Sequence, residues 1–137
     1  MLHFVNPFPT LLDFQIFAPA ILRIVVGIFF IVFGVSTLGR LKARKIELLS
    51  RVGLRSAAFF NNLDGTIEII GGIMFIVGLF TQIVAIVFII LSILALSIKS
   101  KDTANVLWPR STYLLLLVIC LSLLLTGAGL PALDLPL

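Results

Sequence analysis

Of 137 residues, 61% are hydrophobic and only 12% charged, with a mean hydropathy of +1.26. A soluble domain carries about 45–50% apolar and about 25% charged residues, and a chain this short has too much surface to hide the excess from water. The bilayer is the solvent that suits it, and the formal charge of +4 is no nucleic-acid footprint, because the basic residues fall in two loops between apolar runs.

One Cys and one His narrow the chemistry further. No disulfide can form within the chain, and the several thiolate or imidazole ligands of a zinc or haem site are missing, so no metal site is expected.

Met1 to Thr10 contains no Lys or Arg to form a charged n-region, so the first hydrophobic segment is expected to persist as a span rather than a cleaved signal. The apolar stretch from about Phe14 to Gly39 is interrupted by Gln15 and Arg23 and supports a span near residues 18–38. Pro19 falls in its first turn or just before it, where a missing N–H costs little.

A loop from Arg40 to Arg55 follows, with Arg40, Lys42, Arg44, Lys45, Arg51 and Arg55 against one acid, Glu47. Leu41, Leu48, Leu49 and Val52 cluster on one helical face, so a short interfacial helix against lipid headgroups is expected here.

Between Glu68 and Lys99 lie thirty uncharged residues, Ile69 to Ile98. A single helix of that length would run about 45 Å, well beyond a hydrocarbon core of about 30 Å. Two spans and a turn need about 42 residues, so the second span must begin upstream, near Ala58–Leu63. That draws Glu68 and Asp64 towards the membrane. The break falls at Gly78-Leu79-Phe80-Thr81-Gln82, giving spans of about 60–79 and 82–98. The last span, about 110–126, starts after Pro109 and is stopped by Gly127, Gly129 and Pro131. Trp108 and Tyr113 flank its start in the manner of an aromatic belt.

The charges favour four spans over three. With four, the loops 40–55 and 99–110 share one side, and nine of the ten basic residues obey the positive-inside rule; the tenth, Arg23, is intramembrane. The expected fold is an all-α, multi-pass four-helix bundle in the cytoplasmic membrane, with the N and C termini extracytoplasmic and 1–137 as a single domain.

Two stripes carry the polar residues. Arg23, Gly27, Phe30 and Gly34 recur at helical spacing on the first span; Asp64, Glu68, Gly71, Phe75 and Gly78 do so on the second, with Gly72 beside them. Gly27, Gly34, Gly71, Gly72 and Gly78 are read as helix-packing positions, since small residues let membrane helices approach closely. Packing the two stripes together turns Arg23 and Glu68 inward.

Intramembrane charges are costly and usually paired or functional. Arg23 has two open readings, an interior partner for Glu68 or a side chain snorkelling to the outer headgroups. Glu68, between isoleucines, is either a structural carboxyl held by hydrogen bonds or a ligand- or proton-linked group. Asp64 is a third candidate. Gln82 and Thr81 read as outer-turn residues, Ser92, Ser97 and Ser122 as bonding their own helix backbone, Cys120 as inert packing and His3 as solvated. Lys99 and Lys101 read as inner-surface anchors.

Leu22-Arg23-Ile24-Val25-Val26-Gly27-Ile28-Phe29-Phe30 followed by Gly34, then Glu68-Ile69-Ile70-Gly71-Gly72 and Gly78-Leu79-Phe80-Thr81, and finally Leu125-Thr126-Gly127-Ala128-Gly129-Leu130-Pro131-Ala132-Leu133-Asp134 together resemble the DoxX family of small bacterial and archaeal membrane proteins. Two departures stand out. Family members commonly carry a Lys after the first-span glycine, where this chain has Ser36-Thr37-Leu38-Gly39-Arg40, and a base after the Gly-Leu-Phe-Thr turn, where this chain has Gln82.

The resemblance implies a four-helix membrane bundle. Some members are similar to the membrane subunit of a thiosulfate:quinone oxidoreductase, and others are linked to thiol and oxidative-stress complexes. It therefore implies an accessory membrane subunit of a quinone- or thiol-linked redox complex, working with partner subunits or as a homo-oligomer. The chain has no cofactor motif of its own; a quinone is the ligand class the resemblance suggests. The alternative is a non-enzymatic scaffold or small-solute carrier, which needs only the bundle and an interior charge. In either case the chain is not expected to be catalytic alone.

Overall fold

A computed structural model describes residues 17–102, 105 and 107–126. Within them the chain is all-helical, with five helices: α1 (Ala18–Leu38), α2 (Lys42–Arg51), α3 (Ala57–Val77), α4 (Thr81–Lys99) and α5 (Arg110–Thr126). Met1 to Thr10, His3 among them, and the closing motif from Gly127 onward lie outside the described residues.

Three helices, α1, α3 and α4, are long and apolar enough to cross a membrane. The fourth, α5, has 17 residues and a length of about 25 Å. Their outward faces are apolar, with Ile21, Ile28, Val35, Ile73, Ile83, Ile90, Leu115 and Val118 half or more exposed. Large apolar side chains exposed along every long helix are what a bilayer requires and water would reject.

Pro19 sits in the first turn of α1. The second long helix begins at Ala57, upstream even of the expected Ala58–Leu63, and it carries Asp64 and Glu68 well inside its length. It ends where Gly78 adopts a left-handed φ of 77°, its N–H bonding Met74 O at 2.9 Å. Gly78 is therefore a turn residue, since only glycine takes that backbone conformation without penalty. Phe80, with φ 50°, completes the reversal into α4.

The helices pair unevenly. α1 packs along most of α3, antiparallel, and α4 packs on α5, whereas the sequence neighbours α3 and α4 touch little beyond their turn. Aromatic rings tie the two pairs together: Phe30 of α1 stacks on Phe88 of α4 (centroids 3.6 Å apart), and Phe33 stacks on Trp108 at 4.9 Å. Phe75 meets Phe88 edge-on at 5.4 Å, and Phe88 occupies the space Gly71 leaves open. Gly71 thus accommodates an α4 ring and is not part of the α1–α3 contact.

Tyr113, expected in an interfacial belt, is buried against Phe33. The reason is the loop before it. Lys99 Nζ bonds Asp102 Oδ2 at 2.9 Å and Leu107 O at 3.0 Å, and Asp102 Oδ2 accepts from Leu107 N–H at 2.8 Å. That clasp draws Leu107 into the core and brings Tyr113 over the bundle end.

Candidate functional site

The α1–α3 contact sets the levels of Arg23, Thr37, Asp64 and Glu68 along the bundle. A Cβ on Gly27 would lie 2.7 Å from Gly72 O, and one on Gly34 would lie 2.6 Å from Gly65 O. Both pairs obey one antiparallel register, with glycines seven residues apart on each helix. Backbones this close are possible only where side chains are missing.

The same register separates the two charges that the stripes were expected to bring together. Arg23 lies level with Ile76, eight residues along the helix, and hence about 12 Å, from the level of Glu68. It does not reach Glu68. Nor does it snorkel on the lipid face, because at 2% exposure its side chain is covered by protein.

Glu68, 6% exposed, belongs instead to a cluster at the opposite end of the bundle. Thr37 Oγ1 of α1 donates to Glu68 Oε2 at 3.3 Å. Lys45 Nζ of α2 donates to Thr37 Oγ1 at 2.9 Å and to Asp64 Oδ2 at 2.6 Å. Asn61, fully buried, donates from Nδ2 to Thr37 O at 3.2 Å, binding the end of α1 to α3. Asp64 and Glu68 stand one turn apart on α3, so both face the same neighbours.

Thr37, Lys45 and Asn61 were not among the sequence candidates. Lys45 sits in a run of basic residues that looks like a surface loop. Its signal is its spacing: Leu48 and Leu49, three and four residues on, are the buried residues of α2, so Lys45 shares their inward face.

Beside this cluster lies a cavity of about 400 Å³ between α3 and α4, closed at the basic end by α2 and Leu107. Its walls are mostly apolar, including Phe30, Leu49, Leu63 and Leu94, with Lys45, Asp64, Glu68, Ser92 and Tyr113 as polar groups. Leu63 and Leu94 are also exposed on the outside of the bundle, so the cavity is flanked by the apolar perimeter. Ser97 bonds the Ile93 carbonyl one turn back, as serines in apolar helices tend to. Ser92 does not: its hydroxyl is 1% exposed and makes no hydrogen bond among the described residues. An apolar chamber of this size with a few convergent polar groups is the usual form of a small-molecule site.

The family model for DoxX matches residues 18–99, which run from the start of α1 to the end of α4. The chain belongs to the DoxX family. It is also similar to a Bacillus subtilis (strain 168) protein named "Putative oxidoreductase CatD", with 34% identity over 117 residues, covering 83% of this chain and 82% of that relative. No solved structure matches the chain. The matched DoxX region includes the glycine interface, the Thr37–Lys45–Asp64–Glu68 cluster and most of the cavity wall; α5, which contributes Tyr113, lies beyond it. Membership and the long apolar helices make this a multi-pass membrane protein.

Proposed function

We propose that this DoxX protein is an accessory membrane subunit of a quinone- or thiol-linked redox complex. It would span the cytoplasmic membrane four times, with the basic loops inside and both termini outside. The cavity beside Glu68 carries the reading. Its apolar walls suit a lipid-soluble carrier, and Glu68, Ser92 and Tyr113 offer the few polar contacts a quinone head would need. The unengaged, buried Ser92 hydroxyl is the residue that most favours a ligand in the cavity, because a buried hydroxyl left unbonded costs free energy.

A bound quinone would supply the two-electron acceptor chemistry. The chain's own residues would hold it: Phe30, Leu49 and Leu94 by apolar contact, Ser92 and Tyr113 by orientation, and Glu68 as the proton-handling group. Electrons would come from a partner subunit, since the chain's one cysteine, Cys120, is fully buried in α5. The name of the Bacillus subtilis relative points the same way.

Photolabelling of native membranes with an azido-quinone tests this. The expected result is saturable labelling of α3 and α4 peptides, competed by unmodified quinone and reduced in Glu68→Gln. Labelling that does not saturate, and is unchanged in Glu68→Gln, refutes it.

The same cavity with its interior carboxylate also supports a second reading, a scaffold or small-solute carrier. Uptake into proteoliposomes without quinone or a partner, abolished by Glu68→Gln, would favour that reading.

A further inference from the structure

The polar groups around Glu68 form a single file leading outward. Asp64 Oδ2 and Thr37 Oγ1 both accept from Lys45 Nζ, at 2.6 and 2.9 Å, and Thr37 Oγ1 donates onward to Glu68 Oε2 at 3.3 Å. Three helices contribute. The outer two members are partly exposed, Asp64 at 27% and Lys45 at 13% of the side chain, while Thr37 and Glu68 are both buried.

The groups facing Glu68 are Thr37 from α1, Lys45 from α2, Asp64 from its own helix, Ser92 from α4 and Tyr113 from α5. Lys45 is the one cation among them. Both hydrogen bonds between Lys45 and Glu68 point the same way, with the donor on the outer side and the acceptor on the inner side. A hydroxyl between an ammonium donor and a carboxylate acceptor can accept one proton as it gives up another. Towards its other end, the α1–α3 interface is closed by the Gly27–Gly72 contact and the Ile76 and Ile31 side chains, which offer no such file.

We propose that Thr37 and Lys45, with Asp64 at the outer end, are the proton path between Glu68 and the water at the basic-loop end. In the inward step the Thr37 O–H bond breaks as its proton joins the Glu68 carboxylate, and the Thr37 oxygen takes a proton from the Lys45 ammonium. The neutral Lys45 amine then regains a proton from water at the Asp64 side. One proton leaves water and one arrives on Glu68; Thr37 and Lys45 end as they began, and no electron moves. The path rests on the reading of Glu68 as the proton-handling group. Asp64 and Lys45 are positioning and relay residues rather than ligand-binding ones.

The test is hydrogen–deuterium exchange of the Glu68 carboxyl, followed by its infrared C=O band in purified full-length protein and assigned by the loss of that band in Glu68→Gln. Thr37→Val removes the hydroxyl, and Thr37→Ser keeps it. Lys45→Arg keeps the charge and the partner of Asp64 but cannot release its proton at accessible pH. Exchange should slow roughly a hundredfold in Thr37→Val and in Lys45→Arg, the low end for one positioned proton-transfer group, and Thr37→Ser should keep the wild-type rate. A purely structural Lys45 would let Lys45→Arg exchange normally. Wild-type exchange in Lys45→Arg and Thr37→Val overturns the path, as does the absence of any Glu68-dependent band across accessible pH. Should Thr37→Val not fold, Lys45→Arg decides. Quinone binding is measured separately on the wild-type protein, so failure of the ligand assignment leaves the exchange result standing, and the reverse.

Discussion

Gly27 of α1 and Gly72 of α3 face each other so closely that a Cβ on either would lie 2.7 Å from the carbonyl oxygen of the other. The obstacle is backbone, which cannot turn aside as a flexible side chain does. Gly27→Ala and Gly72→Ala are each expected to destabilise the protein by about 1–3 kcal/mol, the usual cost of forcing extra volume into a packed interface. Val118→Ala, on the outward face of α5, should change stability by less than about 0.5 kcal/mol. Thermal unfolding in detergent checks both; equal stability of Gly72→Ala and Val118→Ala would contradict the interface.

The Lys45–Asp64 pair joins the surface helix α2 to α3 at 2.6 Å and is largely shielded from solvent. Removing one charge leaves the other stranded near an apolar cavity. Lys45→Met should therefore be more damaging alone than together with Asp64→Asn, with a coupling of about 0.5–3 kcal/mol in a double-mutant cycle. The Glu47–Arg51 pair, exposed on α2, serves as the contrast and should give a coupling of about 0.3–0.5 kcal/mol.

Ala95 lines the cavity and Leu114 faces outward from α5. Ala95→Phe should fill the chamber and abolish saturable azido-quinone labelling without loss of helicity, while Leu114→Phe leaves labelling intact. Circular dichroism with the labelling assay separates a blocked site from an unfolded protein. Full labelling of Ala95→Phe would move the ligand elsewhere.

The placement of the two basic loops on one side is open to direct measurement. Cys120 is the chain's one cysteine, so Cys120→Ala provides a blank background. Single cysteines replacing Ser50, in α2, and Gln82, at the start of α4, are both exposed. The Ser50 position should react with an impermeant maleimide only from the cytoplasmic face, and the Gln82 position only from the other. Identical sidedness would require an even number of crossings between them.

Much of the helical architecture was legible because lipid leaves few choices. Length between charges forces α3 to begin upstream of its apolar run, and Gly78 marks where it stops. The register was also written in the chain, in the shared seven-residue glycine spacing of Gly27 to Gly34 and Gly65 to Gly72. Gly65 stands between Asp64 and Thr66, outside the apolar stretch, which masks the register and makes Arg23 look like a partner of Glu68. Lys45 was harder to find: nothing in a run of basic residues distinguishes the one that turns inward, apart from its spacing to Leu48 and Leu49. Asn61 and Thr37 became visible only through the helix ends they tie, which is tertiary information. The cavity could not have been foreseen, because it depends on how far α3 and α4 diverge from a short turn.

The pairing of α1 with α3 has a consequence for synthesis. Because α1 packs chiefly on α3 and not on anything nearer in the chain, it emerges first and must wait for a partner that follows only after the whole of α2. During that interval its glycine face has no backbone against it, and Thr37 lacks both Asn61 and Glu68. The later pair, α4 and α5, are chain neighbours and can join as soon as they are made. Assembly is thus divided into a delayed first union and a prompt second one. A ribosome stalled before Gly72 should hold α1 accessible to crosslinking by the insertion machinery, and one stalled far enough past Val77 for α3 to have left the exit tunnel should release it.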